Sequence, residues 1–315
     1  MKLASSTGDF KFYVPDTEGT IKAFKGLPFK YINLEQTQRE EDLFSDNDGY
    51  KKLADAWGNA AAQAGVTFVL SHAPCLHNPV MEALSDHNDE TYQRNVLAIC
   101  NSINICKILG IKRIVVHACS KKGLDKDTFY RYNKMFYDDL LPVAEKCGVM
   151  LLTENWDSFE YGFSTGKDLA DFIDCMDHPL LAACWDTAHG NIDKNAREIG
   201  QYENIMTLGN RLKALHISDN FGDSHHHSWP FAGIINFDSI MQGLIDVNYD
   251  GYFNFEASYT LLHQFNMPYN RQGWEYKGEK VTKLLSPSIE LKKKAVELLY
   301  ETGKYILEQY DCFEA

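Results

Sequence analysis

The chain has 315 residues, 44% of them hydrophobic, and its 31 basic residues are outnumbered by 44 acidic ones, which gives a formal net charge of −13. This length suits one large domain or two small ones, and the apolar share is sufficient for a sizeable core. The acidic balance argues against a nucleic-acid-binding protein, which usually presents a basic stripe, and no segment reaches the roughly 20 apolar residues of a membrane span.

Strand-like and helix-like segments alternate along the whole chain. In chain order, the predicted strands are residues 2–6, 29–34, 66–71, 113–117, 149–154, 180–186, 212–216 and 252–256. The predicted helices are residues 50–64, 90–109, 129–146, 167–176, 198–211, 237–247 and 288–310. Three of these helices are followed at once or nearly so by glycine, at Gly65, Gly110 and Gly148. Glycine commonly ends a helix because it adopts the left-handed conformation at low cost.

This repeated strand–helix pattern predicts a (β/α)₈ TIM barrel, in which eight parallel strands are surrounded by helices. No linker rich in Pro, Gly or Ser divides the chain, so we expect a single domain over residues 1–315. Loop insertions near residues 219–233 and 258–287 would account for the surplus over a barrel of about 250 residues. A doubly wound open sheet is the alternative, disfavoured because no Gly-rich phosphate-binding turn follows the first strand.

The cysteines and the first residues of the chain indicate the cellular compartment of the protein. The eight cysteines include no CxxC pair, and several lie in apolar helix or strand patterns. We therefore expect reduced thiols in the core. The first residues have no long apolar stretch, so we expect no secretory signal. Together these features predict a cytoplasmic protein with no membrane partner.

Four of the predicted strands end in side chains that can bind a metal ion: Glu154, Asp186, His216 and Glu256. An ionisable group inside a parallel sheet is costly, because burial removes its hydration. At the carboxyl ends of barrel strands, however, such side chains converge on one point. The pattern therefore predicts a metal site at this end of the barrel.

The four groups provide three carboxylates and one imidazole. This donor set suits a divalent ion that keeps coordination positions open for substrate oxygens. We expect one such ion, with Mn²⁺ preferred and Mg²⁺, Co²⁺ or Zn²⁺ as alternatives. Zn²⁺ is the less favoured of these, since it usually recruits more nitrogen or sulfur.

Other histidines lie close to these positions in the predicted fold. His189 follows the second ligand by three residues, at a strand-to-helix turn. His72 and His117 come at the ends of two earlier strands, where a structural hydrogen bond explains each of them equally well. The His-rich loop at residues 223–230 either binds metal or is solvated, and we favour only His227 for the site. The predicted substrate-binding residues are His189, His72, His117 and His227.

This constellation suits proton transfer next to a carbonyl. An ion with two open positions can chelate the carbonyl and adjacent hydroxyl of a sugar and stabilise an enediolate. Glu154 and Glu256 would then remove and return the proton on opposite faces of the carbon. In this scheme each glutamate uses one oxygen for the metal ion and leaves the other free.

Through these residues the chain resembles the xylose isomerase-like TIM-barrel superfamily, from about residue 2 to residue 310. Four segments carry the resemblance: TEN at 153–155, WDTAHGN at 185–191, LHISDN at 215–220 and FNFE at 253–256. The superfamily contains sugar and sugar-phosphate isomerases and epimerases, ketose 3-epimerases, inosose isomerases and dehydratases, and the endonuclease IV class of DNA-repair enzymes.

The epimerase branch of this superfamily implies specific roles. There the matching Glu, Asp, His and Glu hold one divalent ion, and the two glutamates form the acid–base pair. The resemblance thus implies that Glu154 and Glu256 are both ligands and catalysts, that Asp186 and His216 are ligands, and that His189 contacts substrate oxygens. The implied partner is a small carbohydrate. The loop at residues 258–287 could reach a second copy of the chain, so a homo-oligomer is an open expectation.

The endonuclease branch implies an alternative, a multi-zinc hydrolase or lyase acting on a phosphoester or a small molecule. Its three-zinc cluster needs ligands at the positions of His72, His117 and His189, which match, and an Asp-x-His pair. That pair reads His-His-His at residues 225–227, and the Gly-x-Gly turn after it is reduced to residues 231–233. This alternative predicts two or three ions. A barrel that only binds a ligand is a third class, and the presence of both glutamates argues against it.

Overall fold

The computed structural model describes residues 1–74, 88–119, 123–156, 162–261 and 274–315. The strands are β1 (Leu3–Ser6), β2 (Tyr31–Glu35), β3 (Thr67–His72), β4 (Arg113–Val115), β5 (Met150–Glu154), β6 (Leu181–Asp186), β7 (Leu212–His216), β8 (Phe253–Asn254), β9 (Trp274–Tyr276) and β10 (Glu279–Val281). The α-helices are α1 (Thr17–Ala23), α2 (Gly49–Ala64), α3 (Glu90–Leu109), α4 (Lys126–Cys147), α5 (Gly166–Met176), α6 (Thr187–Ile192), α7 (Lys194–Ile199), α8 (Gln201–Leu208), α9 (Phe237–Asp246) and α10 (Ile289–Gln309). Short 3₁₀ turns lie at Thr7–Phe10, Glu41–Phe44 and Gly209–Arg211.

The strands β1 to β8 form one sheet in the order β7-β6-β5-β4-β3-β2-β1-β8, and all its neighbours pair in parallel. The sheet closes where Ile217, just beyond β7, pairs with Phe255, just beyond β8. There the Ile217 nitrogen donates to the carbonyl of Asn254 at 2.8 Å, and the Ile217 carbonyl accepts from the nitrogen of Glu256 at 3.0 Å. The predicted (β/α)₈ barrel is confirmed.

Two apolar layers lie on the two sides of this sheet. The larger one packs the outer face of the strands against the helices and includes Phe172, Ile205 and Leu307. The smaller layer fills the inside of the barrel with Leu70, Val115, Leu152, Ala182, Cys184 and Ala214. This inner layer lies beneath the carboxyl ends of the strands. Polar side chains at those ends therefore pack on apolar groups on the side that faces the barrel interior.

Several predicted helix ends agree with the structure. Helices α2, α3 and α4 end at Gly65, Gly110 and Gly148, with φ between 64° and 74°. Only glycine takes this left-handed conformation at little cost. The seven cysteines among the described residues are free, as predicted, and four of them are buried.

The region between β6 and β7 differs from the prediction of one helix at residues 198–211. Gly200 has φ 91° and ψ 158°, which is incompatible with a helix and separates α7 from α8. The last part of the predicted helix, from Gly209 to Arg211, is a 3₁₀ turn. Helices α1 and α6 were not predicted, because each is only one or two turns long and too short to show a helical period.

The two predicted insertions follow β7 and β8 at the carboxyl end of the barrel. Within residues 219–233, Asp219 and Ser228 form an antiparallel bridge. Within residues 258–287, β9 and β10 form an exposed antiparallel hairpin, while residues 262–273 lie outside the described part of the chain. Among the described helices, none has the length and apolar character that crossing a membrane requires.

Candidate metal centre

Strand periodicity directs three of the predicted ligands into the barrel. Glu154, Asp186 and His216 are the last residues of β5, β6 and β7. The residues two positions earlier all belong to the inner apolar layer, namely Leu152, Cys184 and Ala214. Residues two apart on a strand point to the same side of the sheet, so the three ligands point inward above this layer. Glu256 comes from the segment after β8, where the barrel closes.

The four predicted ligands lie together. One ligand atom from each of Glu154, Asp186, His216 and Glu256 is within 4.8 Å of the others. The Nδ1 atom of His216 is 2.7 Å from Oε1 of Glu154 and 2.9 Å from Oε2 of Glu256. Glu154, Asp186 and His216 are buried, whereas Glu256 is half-buried and borders a cavity.

The surroundings of Asp186 show that this site fits a cation. Its Oδ1 atom accepts from the backbone nitrogen of His189 at 2.7 Å. Its Oδ2 atom is buried and has no hydrogen-bond partner among the described residues. A buried carboxylate oxygen without a partner is costly, and the carboxylates of Glu154 and Glu256 add repulsion. A divalent ion bound by all three carboxylates and His216 would relieve both costs.

The charges within the site are strongly coupled. Burial, reinforced by the negative charges of Glu154 and Glu256, raises the pKa of Asp186 to about 7. Burial opposes the ionisation of Glu154 as well, but the attraction and hydrogen bonds of His216 and His117 together outweigh it and hold the pKa of Glu154 well below its usual range. Burial opposes the charged form of His216, yet Cys184, Glu154 and Glu256 raise its pKa well above the usual value. In the absence of a metal ion, protons on Asp186 and His216 therefore balance the carboxylates.

A second group of histidines contacts the other side of Glu154. The Nε2 atom of His117 lies 2.8 Å from Oε2 of Glu154 and 3.0 Å from Nε2 of His72. His72 donates from Nδ1 to the carbonyl of Ala73 at 2.7 Å, which leaves its Nε2 as an acceptor in the neutral ring. Ligand atoms of His72, Glu154 and His216 also lie within 4.8 Å of one another. Both oxygens of Glu154 are thus engaged, in contrast to the expected free oxygen.

A third group of histidines lies close to Asp186, with Nδ1 of His189 4.0 Å from its Oδ2 atom. Ligand atoms of His189, His225 and His227 are within 4.8 Å of one another. His189 donates from Nδ1 to the carbonyl of Asn155 at 2.8 Å, and its buried Nε2 has no hydrogen-bond partner among the described residues. Burial lowers the pKa of both His189 and His227, so both favour the neutral form that binds metal ions. His225 was left out of the predicted site, although its place in the His-x-His spacing pointed to it.

The site opens into a cavity of about 270 Å³. The predicted substrate-binding residues His72, His117, His189 and His227 all border it. Among the bordering residues that were not predicted, three carry a charge or an aromatic ring: Lys11, Glu35 and Trp156. The ring of Trp156 lies against His117, with centroids 4.7 Å apart, and against His189 at 4.5 Å. Each of the three lies at or just beyond the carboxyl end of a strand, and this position was the one signal available in the sequence.

A closed parallel barrel with carboxylates and imidazoles gathered at its carboxyl end defines a TIM-barrel protein with a candidate metal centre. More narrowly, the chain belongs to the xylose isomerase-like TIM barrel family, which matches residues 21–275. This confirms the resemblance found in the sequence.

Relatives of several kinds share this similarity. The D-psicose 3-epimerase of Ruminiclostridium cellulolyticum is 25% identical over 246 residues, which cover 77% of this chain and 76% of that protein. The uncharacterized protein y4fM of Sinorhizobium fredii is 27% identical over 188 residues, or 54% of this chain and 55% of its own length. The probable endonuclease 4 of Thermotoga maritima is 25% identical over 156 residues, or 46% of this chain and 53% of that protein.

Solved structures share the fold over nearly the whole chain. A D-psicose 3-epimerase crystallised in the presence of D-fructose superposes with a TM-score of 0.71 at 16% identity, covering 98% of this chain and 99% of the other. The IOLI protein, crystallised with a bound zinc atom, superposes with a TM-score of 0.67 at 16% identity over the full length of both chains. At this identity the likeness establishes the fold.

Proposed function

We propose that this chain is a divalent-metal-dependent sugar isomerase or epimerase that moves a proton at the carbon next to a carbonyl. The observation that carries the proposal is the convergence of Glu154, Asp186, His216 and Glu256 within 4.8 Å at one end of a cavity. The similarity of the chain to a D-psicose 3-epimerase, over 77% of its length, supports the same class of reaction.

Glu154, Asp186, His216 and Glu256 would hold the ion. Three carboxylates and one imidazole favour Mn²⁺, with Mg²⁺, Co²⁺ and Zn²⁺ as alternatives. The bound ion supplies Lewis-acid polarisation of the substrate carbonyl, which acidifies the neighbouring C–H bond.

Glu256 is the better placed of the two glutamates to exchange a proton with substrate. Both glutamates border the cavity, but the Glu256 side chain is 16% exposed and the Glu154 side chain only 1%. Burial opposes the ionisation of Glu256, but His216 and His227 together outweigh this effect and lower its pKa, so Glu256 is present as the carboxylate that a proton acceptor must be. Glu154 would exchange a proton on the opposite face of the carbon through Oε2, the oxygen that lies 2.8 Å from Nε2 of His117.

The histidines around the cavity suit substrate oxygens. Because His189 donates from Nδ1 to Asn155, its Nε2 is free to accept a hydrogen bond from a substrate hydroxyl in the neutral ring. His72, His117 and His227 border the same space. We assign these four residues to substrate binding.

The test is solvent exchange at the carbon next to the carbonyl. The Mn²⁺-loaded protein is incubated in D₂O with a panel of ketoses, inososes and sugar phosphates, and deuterium uptake is followed by NMR. At least one substrate is expected to take up deuterium, and Glu256→Gln is expected to abolish this uptake. The matched control is Glu145→Gln, which removes an exposed carboxylate that contacts His178. No exchange with any substrate would overturn the proposal.

A second candidate function is a multi-zinc hydrolase or lyase. It is favoured by the two additional histidine groups, His72 with His117 on Glu154, and His225 with His227 beside His189. Nitrogen donors in this number suit zinc. This candidate predicts two or three zinc ions per chain by elemental analysis and cleavage of a phosphodiester, whereas the isomerase predicts one ion. His225→Ala would lower the zinc content only in the multi-zinc case.

A further inference from the structure

The part of the cavity wall formed by the segments after β1 and β2 has a distinct chemical character. It includes Lys11, which follows the turn after β1, and residues 35–38 at the end of β2. Glu35 and Lys11 provide a carboxylate and an ammonium group, and Gln36, Thr37 and Gln38 are uncharged polar residues. These residues line the same cavity as Glu154 and Glu256, so a substrate held at the metal centre would also meet this wall.

Glu35 is held in place by the segment after β1. The Ser6 hydroxyl donates to Oε1 of Glu35, and the Glu35 nitrogen donates to the Thr7 hydroxyl at 2.9 Å. Gly8 leaves the room that this carboxylate occupies, because an added Cβ would collide with Oε1. The carboxylate therefore has a defined position at the cavity wall.

Lys11 is paired with this carboxylate. Its Nζ atom lies 3.4 Å from Oε2 of Glu35, and the two side chains are 30% and 14% exposed. Among the described residues that border this cavity, Lys11 is the one Lys or Arg. Arg39 lies nearby but borders an adjoining smaller cavity together with Asp16. The positive charge that Lys11 brings to the cavity wall is thus balanced by the carboxylate of Glu35.

We propose that the Glu35–Lys11 pair selects a substrate whose far end carries uncharged hydroxyl groups and rejects one that ends in a phosphate. This inference rests on the proposed function for the placement of the substrate. A hydroxyl group both donates and accepts, so neighbouring hydroxyls can donate to Glu35 and accept from Lys11 at the same time. A phosphate dianion only accepts, and it would be repelled by Glu35 while Lys11 is already occupied.

The test uses two ligands that cannot undergo the reaction, D-sorbitol and D-sorbitol 6-phosphate. Their binding to the Mn²⁺-loaded protein is measured by calorimetry. The wild type is expected to bind sorbitol at least roughly tenfold more tightly than the phosphate ester. Glu35→Gln removes the negative charge that repels the phosphate beside Lys11 and is expected to lower the Kd of the phosphate ester by about tenfold. Glu145→Gln removes one carboxylate remote from the cavity and should change neither Kd.

Three results would overturn this assignment: equal or tighter binding of the phosphate ester by the wild type, unchanged selectivity in Glu35→Gln, or no sorbitol binding to a protein shown to contain Mn²⁺. Because neither ligand has a carbonyl, the outcome does not depend on catalysis. Loss of the proposed isomerase activity would appear in the D₂O exchange experiment, whereas failure of the specificity assignment would appear here.

Discussion

The Nε2 atom of His117 lies 2.8 Å from Oε2 of Glu154, so this carboxylate is shared between two imidazoles, with His216 at 2.7 Å from the other oxygen. Glu256 contacts His216 through Oε2 and is 16% exposed, whereas Glu154 is 1% exposed although both border the cavity. Two glutamates that look equivalent in the sequence therefore have different surroundings. We expect Glu154 to act mainly in holding the metal ion and Glu256 mainly in proton transfer.

Replacing these two glutamates should separate the two roles. Glu256→Gln keeps the size of the side chain and removes the proton acceptor, so kcat is expected to fall by about 10³-fold at saturating Mn²⁺. Glu154→Gln is expected to weaken Mn²⁺ binding more than Glu256→Gln does, because the carboxylate it removes is the more deeply buried of the two, at 1% against 16% exposure, and is therefore less screened by solvent. Elemental analysis and substrate deuterium exchange give the two readouts.

The surface variant Glu145→Gln controls for the loss of a carboxylate and should leave both readouts unchanged. If Glu256→Gln retained full kcat, its assignment as the proton acceptor would be wrong. If instead Glu154→Gln bound Mn²⁺ as tightly as the wild type, the metal-holding role would belong to the other three ligands.

The fold and the place of the site could be predicted from the sequence because both depend on local patterns. Strand periodicity together with an ionisable residue at each strand end located Glu154, Asp186 and His216 in three dimensions. The break at Gly200 could not be predicted in the same way, since the apolar pattern continues across it and the φ of 91° appears only in the structure.

Side-chain partnerships were less predictable for a physical reason. Glu35 and Lys11 lie 24 positions apart, and their pairing depends on how the turn after β1 folds back over β2. The engagement of Glu154 by His117 likewise depends on side-chain rotamers at the ends of neighbouring strands. A sequence pattern indicates which side of a strand a residue faces, but not which of its atoms is already bound.

Metal binding should depend strongly on pH. The metal ion needs Asp186 as a carboxylate and His216 as a neutral imidazole. Since the pKa of Asp186 is raised to about 7 and that of His216 lies well above its usual value, both carry protons in the metal-free protein below about pH 7. The Kd for Mn²⁺ should therefore rise by up to roughly a hundredfold per unit of pH lost below 7, because two protons compete with the ion.

Calorimetry in buffers of different ionisation enthalpy counts the protons released when Mn²⁺ binds. We expect close to two protons at pH 6 and close to one at pH 8, where Asp186 is already ionised. His178→Gln removes a half-buried histidine next to Glu145 and should not alter these numbers. A Kd that stayed constant between pH 6 and pH 8 would contradict the proposed ligand pair.

Gly166 is expected to be sensitive to the smallest substitution. It begins α5, and an added Cβ would collide with the backbone carbonyl oxygen of Asn204, which cannot move aside as a flexible side chain can. Gly166→Ala should therefore lower the free energy of unfolding by about 2 kcal/mol. Gly58→Ala in α2 meets only the tip of Leu109 at 3.2 Å and should raise it by up to about 1 kcal/mol. Urea denaturation measures both free energies of unfolding. If the two variants changed stability equally, the contact with Asn204 would not be what makes Gly166 sensitive.

Lys292 in the first turn of α10 forms a buried ion pair with Asp9 beside the segment that follows Glu256. Its Nζ atom lies 3.4 Å from Oδ1 of Asp9, with both side chains 1% exposed, and donates to the carbonyls of Ser258 at 3.0 Å and Thr260 at 2.9 Å. Burial lowers the pKa of Lys292 even though Asp9 opposes this shift.

Lys292→Met should lower the free energy of unfolding by about 3 kcal/mol, because it leaves the Asp9 carboxylate buried without its cation. The exposed pair of Lys134 and Asp138, at 3.8 Å, provides the matched comparison, and Lys134→Met should change stability by less than about 0.5 kcal/mol. Adding Asp9→Asn to Lys292→Met removes the unpaired charge and should restore part of the loss. Urea denaturation of the wild type, Lys292→Met, Asp9→Asn and the double variant measures the double-mutant cycle. A double variant no more stable than Lys292→Met would show that the lost carbonyl contacts, rather than the unpaired Asp9, account for the loss of stability.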